Sequence, residues 1–294
     1  MHSYCEDESN TMNQSTQTET TVTRVEAPLN YLDVTGEKPV TFMYKTENGA
    51  PRRTYQNVKH PMTILNGRAV DERLTLDDQG FALVRHPTAT ANFYDEAEVR
   101  AVYYPEVERL VKQATGAVRV LVFDHNVRCG PMAKEGINGA REPVRFAHND
   151  YTLKSGPQRV RDLMGDEAEA LLKNRFVFIN VWRPIRGPVE EAPLAVCDAQ
   201  SMRLADFVPT DLKYRDRTGE VYSVAFNPEH RWFYFPRMQR DEALLLKCYD
   251  SSVDGRARWT AHTAFDDPTS PPNSAPRESI EARTIAFFAP EKKN

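Results

Sequence analysis

The chain has 294 residues, 40% hydrophobic and 27% charged, with a formal net charge of −4. That length gives one large domain or two ordinary ones with a well-buried core, and the mild acidic balance gives no electrostatic reason to expect nucleic acid or an anionic membrane as partner. No apolar run approaches the ~18–20 residues of a membrane span, and Cys5, Cys129, Cys197 and Cys248 show no CxxC spacing, so free thiols and a cytoplasmic location are expected.

Residues 1–26, rich in Ser, Thr, Asn and Gln, offer almost nothing to bury and read as a mobile arm. Residues 27–294 read as a single domain. Its first part, 27–94, is a β-rich extension in which "KPVTFMY", "RTYQNVKH", "MTILNGRAV" and "GFALVRH" are short extended runs. "DEAEVRAVYYPEVERLVKQATG" (95–116) has a helical stripe of Val107, Leu110 and Val111, Gly116 to end it, and Pro105 to kink or split it. "AVRVLVFDHNVR" (117–128) is strand-like, and a Gly-containing loop leads to "VRFAHNDYTLKSG". Residues 157–175 are helical, with Gly165 dividing them. After them, "FVFINVWRPI", "PLAVCDA", "EVYSVAF", "RWFYFP", "EALLLKCYD", "ARWTAHTAF" and "SIEARTIAFF" follow as strands in quick succession. Many short strands separated by polar turns predict a mainly β fold, a sandwich, jelly roll or barrel, with helices packed outside.

One constellation carries chemistry. A strand repeats every two residues, so His148 and Asp150 share a face in "AHND" and Asn149 takes the other. In "ARWTAHTAF", His262 shares a face with Arg258, Thr260 and Ala264. Two histidines and a carboxylate on neighbouring strands suit a facial triad with open metal positions. His-x-Asp alone is a weak pattern, and a lone strand histidine is more often a hydrogen-bonded core residue. What strengthens it is "RESIEARTIAFF", where Arg277 and Ser279 share a face of an apolar strand. A buried arginine is costly unless paired, and its fork suits a carboxylate. Arg283 lies on the same face ~20 Å further along an extended strand, so only one of the two can grip a given carboxylate. Arg277, directly after the loop and beside Ser279, is preferred, with Arg283 as the backup. Asn180, Trp182 and Arg183 in "INVWRPI" are candidates for the substrate pocket, although packing is the commoner role for such a run.

These residues resemble the signature of Fe(II)/2-oxoglutarate-dependent oxygenases. The phrases "PVRFAHNDYT", "FVFINVWRPI", "EALLLKCYDSS" and "PRESIEARTIAFF" are similar to one branch of that family. That branch contains the cephalosporin hydroxylase/methoxylase component, fungal gibberellin desaturase-like proteins and the novofumigatonin endoperoxidase. The resemblance covers roughly residues 95–290 and implies a double-stranded β-helix (jelly roll) core. It implies that His148, Asp150 and His262 bind Fe(II) and that Arg277 with Ser279 holds 2-oxoglutarate. It further implies that O2 is consumed, that succinate and CO2 are released, and that a small specialised metabolite is hydroxylated, desaturated or converted to an endoperoxide. The stretch between Asp150 and His262 is longer than in the plainest members, so the helix at 157–175 and the hairpins after it are expected as an insertion. A homodimer would form through a sheet edge or the N-terminal arm. Two readings outside the family stay open at this point: a cupin-like metal enzyme that does not use 2-oxoglutarate, and a non-catalytic β-sandwich binding protein.

Overall fold

The run FVFINVWRP is buried at every position, which only a central strand covered on both faces allows. The structure, a computed structural model, describes residues 23–70 and 73–290. Its strands are β1 (Arg24–Leu32), β2 (Val40–Phe42), β3 (Asn57–Asn66), β4 (Phe81–Arg85), β5 (Arg119–Arg128), β6 (His148–Asn149), β7 (Phe176–Pro184), β8 (Leu194–Cys197), β9 (Phe207–Lys213), β10 (Thr218–Val224), β11 (Trp232–Tyr234), β12 (Glu242–Asp250), β13 (His262–Ala264) and β14 (Ser279–Phe287). They form a larger sheet, β1-β3-β11-β8-β13-β6-β10-β9-β2, and a smaller one, β4-β12-β7-β14-β5. The helices are α1 (Glu96–Glu98), α2 (Tyr104–Thr115), α3 (Gly130–Glu135), α4 (Ser155–Met164) and α5 (Ala168–Leu171). The two facing sheets make a double-stranded β-helix. None of the described helices is long and apolar enough to cross a membrane.

Alternation along β7 sorts its two faces. Phe176, Phe178 and Trp182 join the core between the sheets. Val177, Ile179 and Val181 pack outward with Val107, Leu110 and Val111 of α2. The expected break at Pro105 takes a specific form: a π turn over Val99–Tyr103 precedes α2, with the proline in the first turn of α2. The wider turn accommodates a ring that would clash with the carbonyl four residues back. Gly116 closes α2 in the left-handed conformation (φ 73°), and Gly165 separates α4 from α5.

Three features depart from the sequence reading. Residues 1–22 of the expected arm lie outside the described residues, and β1 already begins at Arg24, inside its expected boundary. Val25, Ala27, Leu29 and Tyr31 alternate inward along β1. The two runs on either side of Pro61 are one strand, β3, in which Pro61 lies opposite Pro28 of β1. β11 pairs only with Ile64–Asn66 of β3, so neither proline breaks a ladder bond on the far side. β9 was not anticipated, since Pro209 and Asp211 obscure its alternation. It forms the hairpin with β10.

β1 matters for the site. Asn30 accepts a hydrogen bond from the Ala147 main-chain N–H and donates its side-chain amide to the Arg145 carbonyl, fixing the segment that enters β6. The far end of β1 is held by a directional chain. Trp232 Nε1 donates to Tyr31 Oη (2.6 Å), and His230 contacts Tyr31 Oη (3.2 Å) and Asp206 Oδ2 (3.1 Å). Tyr31 and Asp206 are distant from His230 in the chain, so the fold alone supplies these partners. Burial pushes the His230 imidazole below its ordinary pKa of 6.5 despite Asp206, as it does at His86 and His125. A lowered folded-state value means the unfolded chain takes up protons first, so stability is intact above about pH 6.5 and falls as pH drops below it. We expect the melting temperature to decline on acidification through that window, and the slope to be shallower in His230→Gln. Equal slopes would contradict this.

Candidate active site

β13 and β6 are adjacent antiparallel strands, and His262 is directly opposite His148. Directly opposed residues project from the same face of a sheet, and the two imidazole centroids are 4.4 Å apart. Asp150 follows β6 on the same side, with its Oδ1 3.6 Å from His148 Nε2. One ligand atom from each of the three lies within 4.8 Å of the others. The His-x-Asp and the remote histidine therefore converge between the two sheets.

The hydrogen bonds fix which atoms face inward. His148 Nδ1 donates to the Phe146 carbonyl (3.0 Å), and His262 Nδ1 to the Thr260 carbonyl (3.1 Å). A carbonyl can only accept, so each Nδ1 carries the proton and each Nε2 presents its lone pair. Burial, reinforced by His262 and opposed by Asp150, pushes the His148 imidazole down to about 3, keeping it neutral. Burial would raise the Asp150 carboxyl. Arg283 above all, with the Asn180 amide, outweighs burial and holds it well below the usual carboxylate range. Two imidazole nitrogens and an ionised carboxylate are a donor set suited to ferrous iron.

The Thr260 carbonyl that orients His262 is itself located by a glycine. Thr260 Oγ1 donates to the Gly80 carbonyl (2.6 Å). Gly80 adopts φ +87°, and a Cβ there would lie 2.3 Å from Thr260 Oγ1.

Facing the triad across the interior is a polar grid on the smaller sheet. β14 runs between β5 and β7, placing Asp124, Arg283 and Asn180 in one row. Asn126, Glu281 and Trp182 make the next row, and Arg128, Ser279 and Pro184 the third. Asn180 Nδ2 donates to Asp150 Oδ2 (2.8 Å), and Arg283 Nε to the same oxygen (3.2 Å). Arg283 also donates from Nη1 to Asp124 (2.9 Å) and from Nη2 to Glu281 (3.2 Å). Three carboxylates occupy its fork.

Arg277 is different. It is 3% exposed, its Nη1 donates to the Ala192 carbonyl, and its guanidinium lies 5.6 Å from the Trp182 ring centroid. Glu191 accepts from the Arg277 main-chain N–H rather than from the guanidinium. Arg277 Nε and Ser279 Oγ are buried with no hydrogen-bond partner among the described residues, as are Asn180 Oδ1 and Asn126 Nδ2. Burial, with Arg128 and Arg145 adding to it, pushes Arg277 down to about 9. An unpaired buried guanidinium costs several kcal/mol in real proteins. A planar anion seated against Arg277 and Ser279 would satisfy both orphaned atoms, so the residues fit the distal carboxylate of 2-oxoglutarate.

Of the pocket candidates, Asn180 and Trp182 lie on this inner face. Arg183 does not. One residue out of phase, it points outward, where Nη2 donates to His86 and Nη1 to the Arg240 carbonyl, with Tyr103 beneath it. Sequence reasoning passed over Asp124, Asn126 and Arg128. Their signal was present as a period-two polar stripe in an otherwise apolar strand.

Known proteins resemble this chain over most of its length. The family profile described as oxidoreductase/YMDC permease-like domain matches residues 29–287. The hydroxylase/desaturase efuI of Hormonema carpetanum is 32% identical over 92% of this chain and 97% of its own length. The Fe(II)/2-oxoglutarate-dependent dioxygenase nvfI of Aspergillus novofumigatus is 31% identical over 81% of this chain and 87% of its own. The solved structure of the iron and alpha-ketoglutarate-dependent endoperoxidase NvfI superposes with TM-score 0.84 at 28% identity, covering 91% of this chain and 99% of that one. With the fold shared almost end to end, this chain belongs to the Fe(II)/2-oxoglutarate-dependent oxygenases, in the branch of fungal hydroxylases, desaturases and endoperoxidases.

Proposed function

We propose that His148 Nε2, Asp150 Oδ1 and His262 Nε2 hold ferrous iron, and that Arg277 and Ser279 anchor the distal carboxylate of 2-oxoglutarate. The enzyme would use them to oxidise a small specialised metabolite. The observation that carries this reading is the pairing of a converged triad with a buried guanidinium Nε and a buried hydroxyl, Arg277 and Ser279, that lack partners among the described residues. Bound together there, ferrous iron and 2-oxoglutarate supply O2 activation coupled to loss of CO2 and formation of succinate.

The chain's own part is geometric and electrostatic. The two backbone carbonyls keep His148 and His262 in the tautomer that offers Nε2. Arg277 compensates co-substrate charge in a setting where water is largely excluded. Trp182 and the stacked Tyr151–Phe178 pair (4.0 Å) flank the Asn180 position and give the interior apolar walls. The relatives named hydroxylase/desaturase and the endoperoxidase NvfI support a reaction that begins at a substrate C–H bond, with substrate placement selecting the outcome.

The test is an anaerobic visible difference spectrum of the metal-free protein on adding Fe(II) and then 2-oxoglutarate. A weak charge-transfer band that needs both additions is expected. Iron uptake with no change on adding 2-oxoglutarate would remove the co-substrate assignment.

A further inference from the structure

We propose that Arg283, acting with Asn180, is a positioning residue that restricts Asp150 to one metal-binding oxygen. This rests on the reading of the triad as the iron site and assigns a function to the arginine left over once Arg277 takes the co-substrate. Both donors converge on the same carboxylate atom, Oδ2, at 2.8 Å from Asn180 and 3.2 Å from Arg283. Oδ1, with neither of these donors, is the oxygen that faces His148 Nε2. A carboxylate whose second oxygen is saturated by two donors cannot readily turn to chelate through both. A single-point carboxylate would leave more of the metal's positions open for co-substrate and O2 than a chelating one.

The clamp is itself clamped. Each of the three guanidinium nitrogens of Arg283 faces a different carboxylate, Asp150, Asp124 and Glu281. Asp124, Arg283 and Asn180 are cross-strand neighbours on three adjacent strands. The planar fork therefore has one orientation, aimed at Oδ2. Lysine keeps the charge and loses the fork, so Arg283→Lys separates orientation from electrostatics.

The test titrates the metal-free full-length protein with Co(II) anaerobically, without 2-oxoglutarate, and follows both the dissociation constant and the visible d–d spectrum. Outer partners of metal ligands typically contribute ~10–100-fold in affinity. Arg283→Lys and Asn180→Ala are each expected to weaken Co(II) binding within that range and to change the spectrum. The 2-oxoglutarate affinity at saturating metal should change much less. Because Arg283→Lys leaves three carboxylates close together and can compromise folding, Asn180→Ala carries the test if that variant does not fold. Folded variants with wild-type Co(II) affinity and spectrum would overturn the clamp, as would an unchanged metal constant with a raised 2-oxoglutarate constant in Arg283→Lys. Wild-type protein that takes up no Co(II) would overturn the triad reading itself, and the clamp with it.

Discussion

His262→Ala is expected to abolish 2-oxoglutarate turnover while leaving a folded protein that no longer retains Fe(II). The strand carrying His262 is only three residues long, and His262 itself pairs with β8 on one side and β6 on the other. Its backbone bonds do not depend on the imidazole. The side chain contributes the Nε2 lone pair and the Nδ1–H bond to Thr260. Removing it leaves a two-ligand site formed by His148 and Asp150, so the loss in metal affinity should exceed the ~10–100-fold typical of outer partners. Fe(II) retention after desalting and succinate release report the two effects separately. A variant that retains stoichiometric iron and half its turnover would remove His262 from the site.

Arg277→Met is expected to raise the 2-oxoglutarate requirement steeply with little change in metal binding. Truncating one partner of a buried, hydrogen-bonded charge pair costs about 2–5 kcal/mol, roughly 30-fold to several-thousand-fold in affinity. The apoprotein should not suffer correspondingly, because Arg277 is buried with its Nε unpartnered and an apolar side chain of similar length relieves that cost. Equal or higher thermal stability together with a large rise in KM for 2-oxoglutarate is therefore the expected signature. An unchanged KM would displace Arg277 as the anchor, and the same rise in Arg283→Met would reinstate the backup.

Much of this arrangement was legible in the chain because period two is a strong constraint. It placed His148 with Asp150 and Arg277 with Ser279 before any contact was known. The choice between Arg277 and Arg283 could be made only weakly from position. What separates them is the set of carboxylates each meets, and Asp124 and Asp150 reach Arg283 from other strands. Arg183 shows a related limit. Parity separates it from Asn180 and Trp182, but β7 is buried on both faces, so hydrophobicity does not say which face looks into the space between the sheets. β1 escaped notice for a local reason, a proline and flanking polar residues masking the inward series Val25, Ala27, Leu29 and Tyr31.

The close approach of Gly80 to Thr260 has a consequence for anyone recombining this enzyme with its relatives. Gly80 precedes β4 at the margin of the smaller sheet, and by position it would pass for a junction suited to a crossover. Yet its carbonyl receives the Thr260 hydroxyl across a sequence separation of 180 residues, and the carbonyl of that same threonine accepts from His262 Nδ1. A chimera that brings a bulkier residue to position 80 would inherit His148, Asp150 and His262 intact and still present His262 askew. The functional unit to be exchanged as a block thus includes a backbone turn that carries no reactive group.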